Sequence, residues 1–234
     1  IGAVDSVTTI NNILGKVAAQ SILLSSIANI NQGVVSGCDY VSSRNIAKLN
    51  NFNDIENNDG IFVFDLNNQR DIEVIRNFTA KEKKLLRPFF KNSDIDRYWC
   101  ETREKKLLLY LGKNNIEISS FPNIQKHLNR FKCILDERRE VQNGRIKYHQ
   151  LQWYRTEDIF TREKIVVPYR ASYNAFAFND QEWFCRSDCY IMTEKTDEFD
   201  LKYILALLNS SLYFQWFYHR GKRKGETLEL FQKP

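Results

Sequence analysis

A chain of 234 residues, 43% apolar and 13% aromatic, can bury an ample core as one large domain or two small ones, and this composition argues against disorder. Its net charge of +5 is uneven: residues 1–78 carry 5 Lys/Arg against 8 Asp/Glu, and residues 79–234 carry 29 against 21. The basic part permits an anionic partner, and the change of sign marks a possible subdivision into 1–78 and 79–234.

In chain order, residues 5–19 read as a helix with Ile10, Leu14 and Val17 on one side, and Ile22 to Ile30 read as a strand. Gly33 and Gly37 mark tight backbone, and residues 43–59 form a polar Asn/Asp-rich loop. Ile61 to Leu66 is a short buried strand. Thr79 and Glu82 form a capping box that opens a helix, which stops before Pro88. Lys91 to Tyr98 is a polar turn and Leu107 to Leu111 a strand. Pro122 suits the first position of a helix with Ile124, Leu128, Phe131 and Leu135 on its apolar face, ending at Gly144. Strands follow around Ile146 to Trp153, Ile165 to Pro168, Ala175 to Phe178 and Cys189 to Met192.

The terminal stretch has two parts. Asp200 caps a helix with Leu201, Leu205, Leu208 and Leu212 on one stripe, and Tyr213, Phe214, Trp216, Phe217 and Tyr218 then spread round it, predicting packing on every side. Gly221 and Gly225 next bracket Lys222, Arg223 and Lys224, with Arg220 just before. Glycines allow close approach to a ligand, and cations neutralise phosphates. The same cluster also suits a solvated helix end.

Five cysteines at irregular spacings, without Cys-x-x-Cys, and three histidines support neither a zinc site nor a disulfide framework. Reduced thiols fit a cytoplasmic protein, and no apolar run is long enough for a membrane span. The opening Ile-Gly-Ala and the closing Phe231-Gln-Lys-Pro read as the ends of a piece of a longer protein.

Several phrases in order resemble one family: Gln32-Gly-Val-Val-Ser-Gly37, Lys91-Asn-Ser-Asp-Ile-Asp-Arg-Tyr98, Phe121 to Leu128, Phe131 to Arg139, Trp153-Tyr-Arg155, Lys164 to Arg170, Leu207 to Leu212 and Gly221 to Glu226. From about residue 21 onward the chain resembles the TaqI-like C-terminal specificity domain of adenine-specific DNA methyltransferases and fused type II restriction-modification enzymes. The resemblance implies a reader of double-stranded DNA that partners a catalytic methyltransferase domain of the same chain. That domain binds S-adenosylmethionine and methylates a flipped-out adenine. This chain matches the reader only. Its four prolines are never adjacent, so the Pro-Pro motif that holds the adenine amino group is missing, and no glycines lie close enough for a cofactor loop. No catalytic residue, metal or cofactor is therefore expected here.

The expected fold is α+β, with a mixed, largely antiparallel sheet and several packed helices. Arg220, Lys222, Arg223 and Lys224 are the expected DNA contacts, with affinity from phosphates and specificity from base edges, mainly in the major groove. Gln32 and Ser36 could touch DNA or cap their own turn, and Arg155 and Arg170 could reach DNA or pair with carboxylates. Trp153 and Tyr169 read as core, His127 as structural, and Arg138 and Arg139 as the solvated side of their helix. Two other readings stand beside this one. The aromatic helix could dock onto the parent's catalytic domain, or scattered carboxylates could converge into a magnesium-dependent nuclease; Glu82-Lys-Lys84 and Glu104-Lys-Lys106 fit half of a nuclease signature that lacks its Pro-Asp.

Overall fold

A computed structural model describes residues 2–49, 54–112 and 116–230. The middle of the polar 43–59 loop and the closing Phe231-Gln-Lys-Pro lie outside the described residues. The first helix, α1 (Gly2–Gln20), buries Leu14 and half-buries Ile10 and Val17, the expected face. The expected strand at Ile22 is instead a single turn, α2 (Leu24–Ile27), closed by Ser26 Oγ donating to Leu23 O at 2.6 Å, and strand β1 (Ala28–Gln32) starts only after it.

After α3 (Ser43–Ile46) come β2 (Val63–Asp65) and α4 (Gln69–Arg76), capped by Asn68. The Thr79 capping box forms as expected and opens α5 (Ala80–Lys83). Pro88 sits inside β3 (Leu86–Phe90), and a 3-10 turn capped by Asp94 leads into β4 (Ile95–Asp96), β5 (Trp99–Cys100) and β6 (Lys106–Leu109).

The long helix expected from Pro122 to Gly144 is three pieces: α6 (Pro122–Asn129), α7 (Lys132–Asp136) and α8 (Arg139–Gln142). Phe131 leaves helical geometry at ψ 8° with its ring buried, and Arg138 turns extended at ψ 131°. Arg138 is not solvated. It is buried, and its guanidinium donates to the carbonyls of Leu135, Ser36, Gln150 and Tyr148. That pull on a buried cation outweighs the helical pattern. Residues 145–153 form no strand, and Trp153, expected in the core, stands 45% exposed and bridges Val35.

The rest comprises α9 (Asp158–Thr161), β7 (Lys164–Pro168), β8 (Arg170–Ala171), β9 (Ala177–Asn179), β10 (Phe184–Cys185), β11 (Cys189–Glu194), α10 (Leu201–Leu208), α11 (Ser211–Arg220), β12 (Arg223–Lys224) and β13 (Thr227–Glu229). One sheet runs β1-β11-β7-β9 with antiparallel neighbours, and a second runs β10-β3-β6-β2, in which only the β10-β3 pair is parallel. The fold is α+β and largely antiparallel. Both sheets join strands from before and after residue 78.

The first sheet is a partition. Val166, Ala177 and Ile191 face one core with the second sheet, while Ile165, Val167 and Met192 face another beneath α10 and α11. Period-two alternation with apolar residues on both faces explains why β7 and β11 read as unbroken apolar runs. His127 is structural, as expected. Its Nε2 donates to Ile61 O at 3.0 Å, Nδ1 has no hydrogen-bond partner among the described residues, and burial lowers its pKa to about 4. No helix among the described residues is long and apolar enough to cross a membrane.

Candidate nucleic-acid interface

The stretch expected as one terminal helix breaks at Asn209–Ser210. Asp200 caps α10 by accepting from Lys202 N at 2.6 Å, and Ser210 caps α11 by accepting from Tyr213 N at 3.2 Å. Asn209 exchanges hydrogen bonds with Phe176, accepting from its N–H at 3.1 Å and donating to its carbonyl at 2.8 Å. Asn174 donates to the carbonyls of Leu208 and Ser210. These buried amides fix the angle between the helices.

The aromatic helix is not packed on every side. No residue of α11 is fully buried, Tyr218 stands 43% exposed and Leu212 41% exposed. Its apolar side, with α10 and the segment after α1, lines a groove of about 630 Å³ whose walls include Ile22, Leu23, Tyr203, Leu207 and Trp216.

The basic turn is a β-hairpin. Arg223 pairs with Leu228 and Lys224 with Thr227 around a two-residue turn, Gly225-Glu226. Gly225 has φ +62°, the left-handed backbone that glycine tolerates at the first centre of a II′ turn. Arg220, Lys222, Arg223 and Lys224 are all exposed. Extended backbone sends Lys222 and Lys224 to one side and Arg223 to the other. There the Arg223 guanidinium lies 4.5 Å from the centre of the Tyr218 ring. The hairpin is anchored by β8, with Leu228 opposite Ala171 and Glu229 opposite Arg170. Arg170 also forms an ion pair with Glu229 at 2.6 Å, so it braces this sheet.

The other predicted residues lie apart from the hairpin. Gln32 Nε2 donates to Ser187 O at 2.5 Å, and Arg155 Nε donates to Gln32 O at 2.9 Å. Ser36 is buried, with its hydroxyl on Asp39. Ser36 lines a cleft of about 540 Å³ together with Asp39, Gln152 and Arg186, with Arg186 Nε 3.6 Å from Asp39, whereas Gln32 and Arg155 do not line it. The glycine turn is filled from within. A Cβ at Gly33 would meet Arg186 O at 2.3 Å, and one at Gly37 would meet the Gln152 side chain at 2.5 Å. Among the described residues no three His, Cys, Asp or Glu side chains come together to hold a metal.

Sequence reasoning missed the exposed β4–β5 hairpin, where Tyr98 and Trp99 are 57% and 55% exposed. A turn motif next to two aromatics was the available signal.

The fold is an α+β scaffold that presents a cationic hairpin braced by β8. The chain belongs to the TaqI-like C-terminal specificity domains, whose family model matches residues 87–232. It is 27% identical over 221 residues to the type II methyltransferase M.MjaIV of Methanocaldococcus jannaschii, covering 91% of this chain and 64% of that relative. It is 25% identical over 193 residues to the type II methyltransferase M.HincII of Haemophilus influenzae, covering 78% of this chain and 36% of that relative. Among solved structures, the type IIL restriction-modification enzyme MmeI in complex with DNA superposes with a TM-score of 0.60 at 14% identity, covering 91% of this chain and 24% of that one. The last likeness is one of fold.

Proposed function

We propose that this chain is the reader of a restriction-modification enzyme and positions duplex DNA for adenine-N6 methylation by another domain of the same protein, with cleavage by a further domain in a fused enzyme. The observation that carries this reading is the cationic hairpin β12–β13, exposed at Lys222, Arg223 and Lys224 and braced through β8. Lys222 and Lys224 neutralise neighbouring phosphates, and Arg223, beside the Tyr218 ring, reaches toward a base edge. S-adenosylmethionine belongs to the catalytic domain. The glycine turn at Gly33 and Gly37 is closed by Arg186, Cys185 and Gln152, so its residues do not fit the cofactor and no methyl-transfer step is derived from them. The catalytic domain is also the partner that suits the apolar groove along α11.

The test is fluorescence anisotropy on a mixed-sequence duplex over a salt series, using the longer enzyme and its Lys222→Ala/Lys224→Ala variant. The slope of log K against log salt should fall by about two units, near 0.9 per lost phosphate contact, with affinity reduced equally on all sequences. The isolated domain, supplying half a clamp, should bind at only ~10⁻⁴ to 10⁻⁶ M. A double variant with the parental slope and affinity would leave the hairpin's lysines solvated and off the phosphates, and remove the basis of this reading.

A further inference from the structure

The β4–β5 hairpin turns through Arg97 and Tyr98, with Asp96 opposite Trp99 and Ile95 opposite Cys100. Tyr98 has φ +63°, a backbone region where a bulky side chain is a genuine outlier and where strain collects at functional sites. The surroundings impose it: Tyr98 N donates to Phe176 O at 2.8 Å, and Arg97 Nε and Nη2 donate to Asn174 at 3.1 and 2.6 Å. The root is equally fixed, since Cys100 is buried and Asn179 Nδ2 lies 3.5 Å from its sulfur.

What this rigid tip presents is aromatic. Tyr98 is 57% exposed, Trp99 55% and Tyr173 40%. Tyr173 donates to Asp96 at 2.7 Å, and the Arg97 guanidinium lies 5.4 Å from the centre of its ring. The Tyr98 hydroxyl, the Trp99 indole N–H and Arg97 Nη1 make no hydrogen bond among the described residues. Single exposed aromatics need no explanation, but three around an arginine on an over-determined backbone mark a contact surface.

The tip is continuous with the cationic hairpin. Ala171 of β8 pairs with Leu228, and Tyr173 follows two residues later, within roughly 7 Å of extended chain. Phosphates held by Lys222 and Lys224 would therefore bring the same duplex alongside the aromatic tip.

We propose that the Arg97-Tyr98-Trp99 tip enters a groove of the bound duplex and sets part of the site preference, independently of phosphate clamping. This rests on the DNA-reading function proposed above. Aromatic faces suit thymine methyl groups, sugars and exposed base planes, and Arg97 keeps a donor edge for a base acceptor. None of these contacts adds a phosphate, so their loss should alter selectivity and leave salt dependence alone.

The experiment is selection of a random duplex pool by the longer enzyme and by its Tyr98→Asn/Trp99→Thr variant, with anisotropy over a salt series on the winning and a scrambled duplex. Tyr98→Asn tolerates the left-handed backbone and Trp99→Thr keeps a strand residue, and the single Tyr98→Asn variant gives the same readout if the double one fails to fold. The expected result is an unchanged salt slope with preference lost at one or more base positions, about tenfold each, the size of one mismatched pair. Unchanged preference and affinity would overturn the inference while leaving the DNA-reading function standing. So would a fall in salt slope with preference intact, which would make the tip a phosphate contact. If the wild type selects and binds no duplex at all, both readings fall.

Discussion

Arg138 shows at the scale of one residue how tertiary demand overrides local pattern. Its guanidinium holds the Ser36 carbonyl at 2.8 Å and that of Gln150 at 2.9 Å, closes the end of α7 through Leu135 O, and lies 5.3 Å from the centre of the Phe62 ring. Burial lowers its pKa to about 10, so it stays charged at neutral pH, and it makes no salt bridge among the described residues. Carbonyls alone satisfy it. We predict that Arg138→Met, which strands those carbonyls, lowers the unfolding free energy by about 3–5 kcal/mol in urea titrations. Arg139→Met, one residue on and exposed, should stay within about 0.5 kcal/mol. The sequence set both arginines on one solvated face. Nothing in a local window could separate them, because one partner of Arg138 lies 102 residues away. The cap at Asp200 and the proline at the start of α6 were legible because their partners are immediate neighbours.

At the scale of elements, Glu82 joins two helices. Its carboxylate accepts from Thr79 N at 2.8 Å, completing the box on α5, and from Asn123 N at 2.7 Å, Asn123 Nδ2 at 2.8 Å and Ile124 N at 3.2 Å at the start of α6. Burial alone would raise its pKa, but these hydrogen bonds outweigh burial and hold it at about 2. With the folded pKa below the unfolded value of 4.5, the stabilisation is present above pH ~4.5 and is lost as pH falls through about 2. It amounts to about 3 kcal/mol. Glu82→Gln should cost about that much at pH 7 and almost nothing near pH ~2, so thermal melts of variant and parent should converge on acidification. A variant that melts equally far below the parent at both pH values would sink this account. The box was visible in the sequence, but its second client was not, because Asn123 is 41 positions distant. The aromatic helix α11 failed in the opposite sense. Its residues predicted complete burial, yet one side is open. All-round apolarity reports the total surface to be covered and says nothing about whether this chain covers it.

For the whole molecule, the partition sheet divides the labour. One core supports the cleft around Gly33 and Gly37, and the other carries α10, α11 and the groove. If the catalytic domain occupies that groove, Trp216→Asp in the longer enzyme should reduce methyl transfer at least about tenfold and speed proteolytic release of this domain, while the isolated domain keeps its melting temperature. Unchanged activity and unchanged proteolysis would place the catalytic domain elsewhere. Strand identities at β2, β6, β7 and β11 could be read from short apolar runs. Their arrangement into a two-faced partition could not, since a buried run looks the same whichever cores flank it.

The two-residue turn at Gly225-Glu226 sets how far the cationic hairpin reaches. A strand advances ~3.4 Å per residue, and successive phosphates on one DNA strand lie ~3.4 Å apart along the helix axis. Adding one residue to each arm would lengthen the hairpin by ~3.4 Å, the axial rise of one nucleotide. It would also exchange the sides taken by lysine and arginine, because strand side chains alternate. Adding two per arm restores the original sides. If the hairpin lies along the duplex as proposed, its length is a discrete ruler for re-registering the domain, and only even increments leave the chemistry of each face unchanged.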